Sequence, residues 1–286
     1  MLVQTDPLLL LPLVLLGALY VIGYTRLRAR GSHGGRPLVF ALGYWTLVIA
    51  LVSPLHALGE RSFALHMVQH LLLTLVAPPL LLLSRSMPVL LWGLPSEERA
   101  TLGRLAGRPG PLRMLLRWAT LPLVAFWVFI LTQWLWHQPA LYDWAVENRW
   151  AHSAEHLTFF LSAVLFWWPV IGAPPLPSPL SYPGRMLYTF LAWMPNTFLG
   201  AGLALSANAL YPVYTYDDQQ LAGLLMWMPG DILFAAVLLL LVVAFLNHEQ
   251  RTAERLEREL DRQSGLAPLA SRVEGRYARP SSTRDP

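Results

Sequence analysis

Long apolar runs alternate with short polar connections along the whole chain, and the runs are too long for the elements of an ordinary globular core. A bilayer-crossing helix needs about 20 apolar residues, with a range of roughly 17–25. Candidates are Pro7–Tyr24, Leu38–Pro54, Phe63–Leu83, Leu121–Trp136, Ala151–Ile171, Met186–Ala207 and Leu221–Leu246. They predict an all-α fold, a polytopic membrane protein whose residues 1–248 form a seven-transmembrane-helix bundle. The shorter run Met87–Pro95 cannot cross and reads as interfacial. The opening "MLVQTDP" has no basic residue, so the first run reads as a retained span, not a cleaved leader. Beyond Leu246, residues Ala253, Leu256 and Leu260 recur at helical spacing among Glu and Arg. That amphipathic pattern predicts a cytoplasmic surface helix over 249–264. Residues 265–286 are rich in Pro, Ser and Arg and read as a disordered tail.

Arginine placement gives the predicted bundle a direction. The connection "RLRARGSHGGR", the stretch from Arg85 to Arg117 and the C-terminal tail hold nearly all the basic residues, and the intervening connections hold almost none. By the positive-inside rule the N-terminus is outside and the C-terminus cytoplasmic. The Pro-rich connection "GAPPLPSPLSYPG", followed by Arg185, adds little. Composition agrees with a membrane class: 55% of residues are hydrophobic and 13% charged, against about 25% charged in soluble domains. The net charge of +4 is thereby an orientation signal and does not call for nucleic acid. With no cysteine, disulfides, thiolate nucleophiles and Cys-rich metal sites are excluded.

On this topology the unusual polar residues collect at one leaflet. His66 and His70 open the third span in "HMVQH", and His152, Glu155 and His156 open the fifth in "HSAEH". His137 follows the fourth span, and Asp217, Asp218 and Gln219 precede the seventh. Residues four apart share a helix face, so each histidine pair can aim at one point. Two such pairs at equal depth supply up to four imidazoles to one metal, and imidazole suits Cu, Zn, Fe and Ni. The expected ligands are His66, His70, His152, His156, His137 and Asp218, with the four paired rings within about 4–7 Å of one another. Gln69 and Glu155 are placed to orient rings. Met67, Met226 and Met228 offer thioethers, which favour Cu(I), although methionines more often simply pack. His56 stays open between a ligand and an interfacial residue, and His33 and His248 read as surface residues. Trp134, Trp136, Trp144 and Trp150 form an interfacial aromatic belt. Asp231, inside the last span, has no partner that the sequence identifies.

Three stretches, "HMVQHLLLTLVAPPLL", "WHQPALYDWA" with "HSAEHLTFFLSAVLFWWPV", and "LYPVYTYDDQQLAGLLMWMPG", resemble the CtaG-like cytochrome c oxidase assembly factors over roughly Val39 to Leu246. The resemblance implies a seven-helix membrane bundle in the bacterial plasma membrane. It implies a non-enzymatic role in maturing a haem-copper oxidase, with copper as the metal handled. It carries His66, His70, His137, His152, His156, Asp218 and Gln219 as site residues. The implied partners are haem-copper oxidase subunits, an extracytoplasmic copper donor and membrane lipid. Three other readings stay open on the residues alone. "HSAEH" matches the inverted zincin motif H-x-x-E-H, in which His152 and His156 would hold zinc and Glu155 act as base. Facing histidines could instead sandwich a haem. A plain scaffold for oxidase subunits would need no metal.

Overall fold

The computed structural model describes residues 7–32, 35–107, 110–174 and 177–263. His33 and the tail expected over 265–286 lie outside them. No strand occurs among the described residues. Proline starts many of the helices, because its fixed φ suits the first turn and its missing N–H costs nothing there. Pro37, Pro54, Pro111, Pro122 and Pro139 begin α2 (Pro37–Val52), α3 (Pro54–Gly59), α8 (Pro111–Ala119), α9 (Pro122–Trp136) and α10 (Pro139–Glu147). The other helices are α1 (Pro7–Ala29), α4 (Phe63–Leu71), α5 (Ala77–Leu83), α6 (Ser86–Gly93), α7 (Ser96–Gly107), α11 (Arg149–Ile171), α12 (Tyr182–Ala204) and α13 (Tyr216–Gln263).

Four stretches are long and apolar enough to cross a membrane: Leu9–Ala29, Phe63–Leu83, Arg149–Ile171 and Tyr216–Arg262. A fifth exists if Arg113–Ala119 and Pro122–Trp136, bent by 68°, count as one span. The other two expected spans fall short for different reasons. α2 is apolar throughout but has 16 residues. α12 has 23 residues, diluted by Arg185, Pro195 and Asn196. Of the stretch 249–264, expected as a surface helix, residues up to Gln263 continue α13, which runs for 48 residues, and residue 264 lies outside the described residues. By internal contacts the chain divides into two units, Met1–Leu238 and Leu239–Pro286. In the second, Arg258 and Glu254 form an exposed i,i+4 ion pair of 3.4 Å.

In the first unit, α1 lies against α6 and α11 packs on α9, α10 and α5. A Cβ on Gly23 would stand 1.8 Å from the Val89 carbonyl, and one on Gly93 2.2 Å from the Leu19 carbonyl. Only glycines let these two backbones cross so closely. Leu13, Tyr20, Phe40, Leu47, Leu73, Leu81 and Val89 build one buried cluster around that crossing. A second cluster, of Phe63, Met67, Tyr142, Leu199, Tyr211, Tyr214 and Met226, ties α4 to α10, α12 and the start of α13.

The third span is not a uniform α-helix. Between α4 and α5, Leu72–Val76 form a π turn, closed by the Ala77 N–H bonding to the Leu72 carbonyl. The cause is local. Pro78 has no N–H for the carbonyl of Thr74, four residues back. Trp167 of α11 supplies the donor instead, Nε1 to the Thr74 oxygen at 2.8 Å. Single π turns concentrate at functional sites, and this one begins two residues after His70.

Candidate metal centre

α4 and α11 bring their side chains together near their N-terminal ends, and each helix is started by a side-chain cap. Ser62 Oγ accepts from Leu65 N at the head of α4. Asn148 Oδ1 accepts from Trp150 N and Ala151 N at 2.9 and 3.2 Å at the head of α11. One turn in, His66 and His70 face Glu155 and His156, and all four are buried, with exposures of 2%, 3%, 0% and 1%. One donor atom from each residue lies within 4.8 Å of the others. His66 Nε2 is 3.8 Å from Glu155 Oε2, and His70 Nε2 is 3.5 Å from Glu155 Oε1.

The hydrogen-bond accounting of this group is unusual. His66 Nε2, both nitrogens of His70, both of His156 and both oxygens of Glu155 are buried without a hydrogen-bond partner. Buried polar atoms are costly unless paired, and nearly all are paired in folded proteins. One atom from each of the four residues can reach a single cation, which would satisfy four of these unpaired groups together. Three imidazoles and one carboxylate also suit a borderline transition metal such as copper or zinc.

The remaining candidates fall into distinct places. His152 joins the ring layer, its centroid 5.2 Å from His66 and 4.3 Å from His156, but outside the tight group of four. The rings of His66, His70, His152 and His156 that contact one another have centroids from 4.3 Å to 5.6 Å apart. His137 caps the C-terminal end of α9, its centroid 5.8 Å from that of His70. Burial pushes the His137 imidazole down to about 4, against the raising effect of its bond to the Gln133 carbonyl. Met67 Sδ sits 3.3 Å from His137 Nε2.

Asp218 is engaged elsewhere. Its carboxylate accepts from Ser62 Oγ at 2.9 Å, Phe63 N at 2.6 Å and Ala64 N at 3.2 Å. It therefore closes the N-terminus of α4 from α13. Gln219 ties the preceding loop, accepting from Leu210 N at 2.6 Å and donating to the Asn208 carbonyl at 3.3 Å. Gln69 donates to the Ala50 carbonyl at 2.7 Å and meets His56 Nδ1 at 3.3 Å. A Cβ on Gly59 would come within 2.3 Å of Gln69 Oε1, so glycine makes room for that amide. Met226 packs in the cluster with Phe63 and Tyr142, and Met228 is exposed. Asp231 accepts from Trp193 Nε1 and Thr197 Oγ1 of α12, both at 2.6 Å.

Three further residues frame the group: His56, which sequence reasoning left open between a ligand and an interfacial residue, and two tyrosines that it missed. His56 is buried and stacked on His152 at 5.4 Å. Tyr142 Oη meets His66 Nδ1 at 2.9 Å and Tyr214 Oη at 3.2 Å. Tyr142 and Tyr214 are both pushed up by burial. A lone His after a proline and two isolated tyrosines carry no spacing signal, because their partners come from other helices.

Comparison with known proteins places this geometry in a family. A model of the cytochrome c oxidase caa3 assembly factor family (Caa3_CtaG) matches residues 18–248. An uncharacterized protein of Mycobacterium bovis is 27% identical over 270 residues, covering 87% of this chain and 40% of its own length. An uncharacterized protein of Mycobacterium leprae is 26% identical over 270 residues, with the same coverage. The chain thus spans about two fifths of the length of the curated relatives it matches. No solved structure matches. The family match runs through both histidine helices and most of the apolar region, and the chain belongs to the family of cytochrome c oxidase caa3 assembly factors.

Proposed function

We propose that the chain is a copper-binding assembly factor of the bacterial plasma membrane, serving the copper-centre maturation of a haem-copper oxidase. The cluster of His66, His70, Glu155 and His156, with its unpaired buried atoms, is the observation that carries this reading. Copper is cargo here, received from an extracytoplasmic donor and passed to an oxidase subunit. Charge bookkeeping favours the monovalent ion. One ionised carboxylate balances Cu(I), whereas a divalent cation leaves an uncompensated charge in a buried site, which is costly. The neutral imidazoles add affinity without fixing more charge, so a competing ligand can take the ion away.

The reading includes seven spans, with α2 and α12 added to the five long or bent ones, and the N-terminus outside. Arginine placement supports this, since the sparse connections are those beside the histidine cluster. Glu155 standing among the nitrogens as a ligand atom favours a carrier over a zinc protease, whose glutamate serves as base. Ring separations of 4.3–5.6 Å leave no slot for a haem macrocycle among these histidines.

The test is metal analysis of purified protein, wild type against His66→Ala/His70→Ala. The wild type should retain copper and the variant should lose the equivalent held at the cluster. A deletion strain should make oxidase polypeptides of low activity and low copper content. Normal copper content in the deleted strain would remove the assembly role, and a metal-free wild type after Cu(I) loading would remove the site.

A further inference from the structure

We propose that Met67 and His137 form a second, softer metal position beside the imidazole–carboxylate cluster, one that takes Cu(I) in preference to zinc. It deepens the copper reading above and rests on it. Both side chains are buried, Met67 at 0% and His137 at 4% exposure. His137 Nδ1 lies 2.7 Å from the Gln133 carbonyl oxygen. A carbonyl only accepts, so Nδ1 carries a hydrogen. The ring meets the Gln133 carbonyl, Met67, His70 and Phe159 and no carboxylate among them, and a buried imidazole without a counter-charge stays neutral and holds one hydrogen. Nε2 therefore presents a lone pair. It points at Met67 Sδ, 3.3 Å away, which has no hydrogen either. Two lone pairs face each other between buried side chains.

A metal ion resolves that opposition. With bonds of about 2.0–2.1 Å to nitrogen and about 2.3 Å to sulfur, taking zinc as guide, a tetrahedral edge is about 3.5 Å. The observed separation is close to it. The position is built to hold still. Tyr211 Oη donates to the His137 carbonyl at 2.7 Å, and Met67 is held in the cluster with Phe63 and Tyr142. His70 is the neighbouring imidazole, its Nδ1 without a hydrogen bond and its ring in contact with that of His137. On its other nitrogen His70 faces Glu155 at 3.5 Å. An ion leaving the N,S pair thus meets His70 first and the carboxylate next. Thioether selects Cu(I), while imidazole with carboxylate accepts harder ions. Adjoining positions of different softness are what stepwise ligand exchange requires.

The experiment is X-ray absorption at the copper edge on the purified full chain loaded with Cu(I), beside parallel Cu(I) and Zn(II) titrations. The chain has no cysteine, so any copper–sulfur scattering at about 2.3 Å reports a thioether. The wild type should show that shell, and Met67→Leu, a volume-conserving change, should abolish it. Met67→Leu should also weaken or remove one Cu(I) equivalent by tenfold or more and leave Zn(II) binding unchanged. A wild type with only nitrogen and oxygen scatterers, or a sulfur shell that survives Met67→Leu, overturns the pair while leaving the central cluster standing. Loss of Zn(II) and Cu(I) together in His70→Ala/His156→Ala is the separate signature of the cluster. If Met67→Leu does not fold, selenomethionine-labelled wild type decides the matter: a copper–selenium shell supports a thioether ligand and its absence overturns it.

Discussion

Tyr142 shows how much a single hydroxyl can decide. A neutral imidazole carries one hydrogen, and His66 can offer Nε2 to an ion only when Nδ1 holds it. Nδ1–H then donates to Tyr142, whose own hydrogen goes to Tyr214. His66 is thereby the one ring of the four-residue group oriented by a hydrogen bond, since both nitrogens of His70 and His156 have none. Removing a partner that orients a ligand commonly costs about 10–100-fold in metal affinity. Tyr142→Phe keeps the ring against Phe63 and should weaken copper binding by about that factor, read by competition with a chromophoric chelator. Unchanged affinity would mean that packing alone orients His66. The residue scale also marks the limit of what the sequence reveals. The i,i+4 pairs were legible because helical periodicity alone puts His66 beside His70 and His152 beside His156. Whether His152 or Glu155 completes the tight group depends on the rotation of α11, which neighbouring helices set. Tyr142 was illegible for the same reason, its partner lying 76 positions away in the chain.

At the scale of elements, the head of α4 depends on a residue from another helix. The first N–H groups of any helix lack internal partners, and here Phe63 N and Ala64 N are satisfied by Asp218. A carboxylate there also meets the positive end of the helix dipole. Asp218→Ala should lower stability by about 1–2 kcal/mol, the cost of losing a good cap. Thermal unfolding in detergent checks this, with Asp218→Asn retaining part of the loss. Metal stoichiometry should stay at the wild-type value, and its loss in a folded Asp218→Ala protein would make Asp218 a ligand after all. The sequence marked Asp218 as a site residue because it sits at the right end of the right span. It could not separate a ligand from a cap, since both are carboxylates near a helix N-terminus. Long apolar runs such as Phe63–Leu83 and Arg149–Ile171 were readable from length and hydropathy alone. α2 and α12 show why the rest were harder, one being short and the other polar in places.

For the whole molecule, the seven-span arrangement predicts where each connection lies. An export-dependent reporter fused after Ala207 should be active, and fusions after Arg36 or Arg262 should be silent. Activity at Arg36 or silence at Ala207 would put the histidine end of the bundle in the cytoplasm, away from an extracytoplasmic donor. Arginine placement is what predicts this direction, whereas helix length alone yields four or five spans.

The π turn at Leu72–Val76 bears on which chain lengths this fold tolerates. It holds one residue more than regular α geometry needs between His70 and Ala77. Deleting a residue there would take up the extra residue of the π turn and leave a span that still looks sound by hydropathy. Each residue of an α-helix turns the chain by about 100°, so the deletion would swing His66 and His70 away from Glu155 by roughly that angle. Insertions and deletions are usually absorbed by loops; in this span, the count of residues is itself part of what holds the histidines against Glu155.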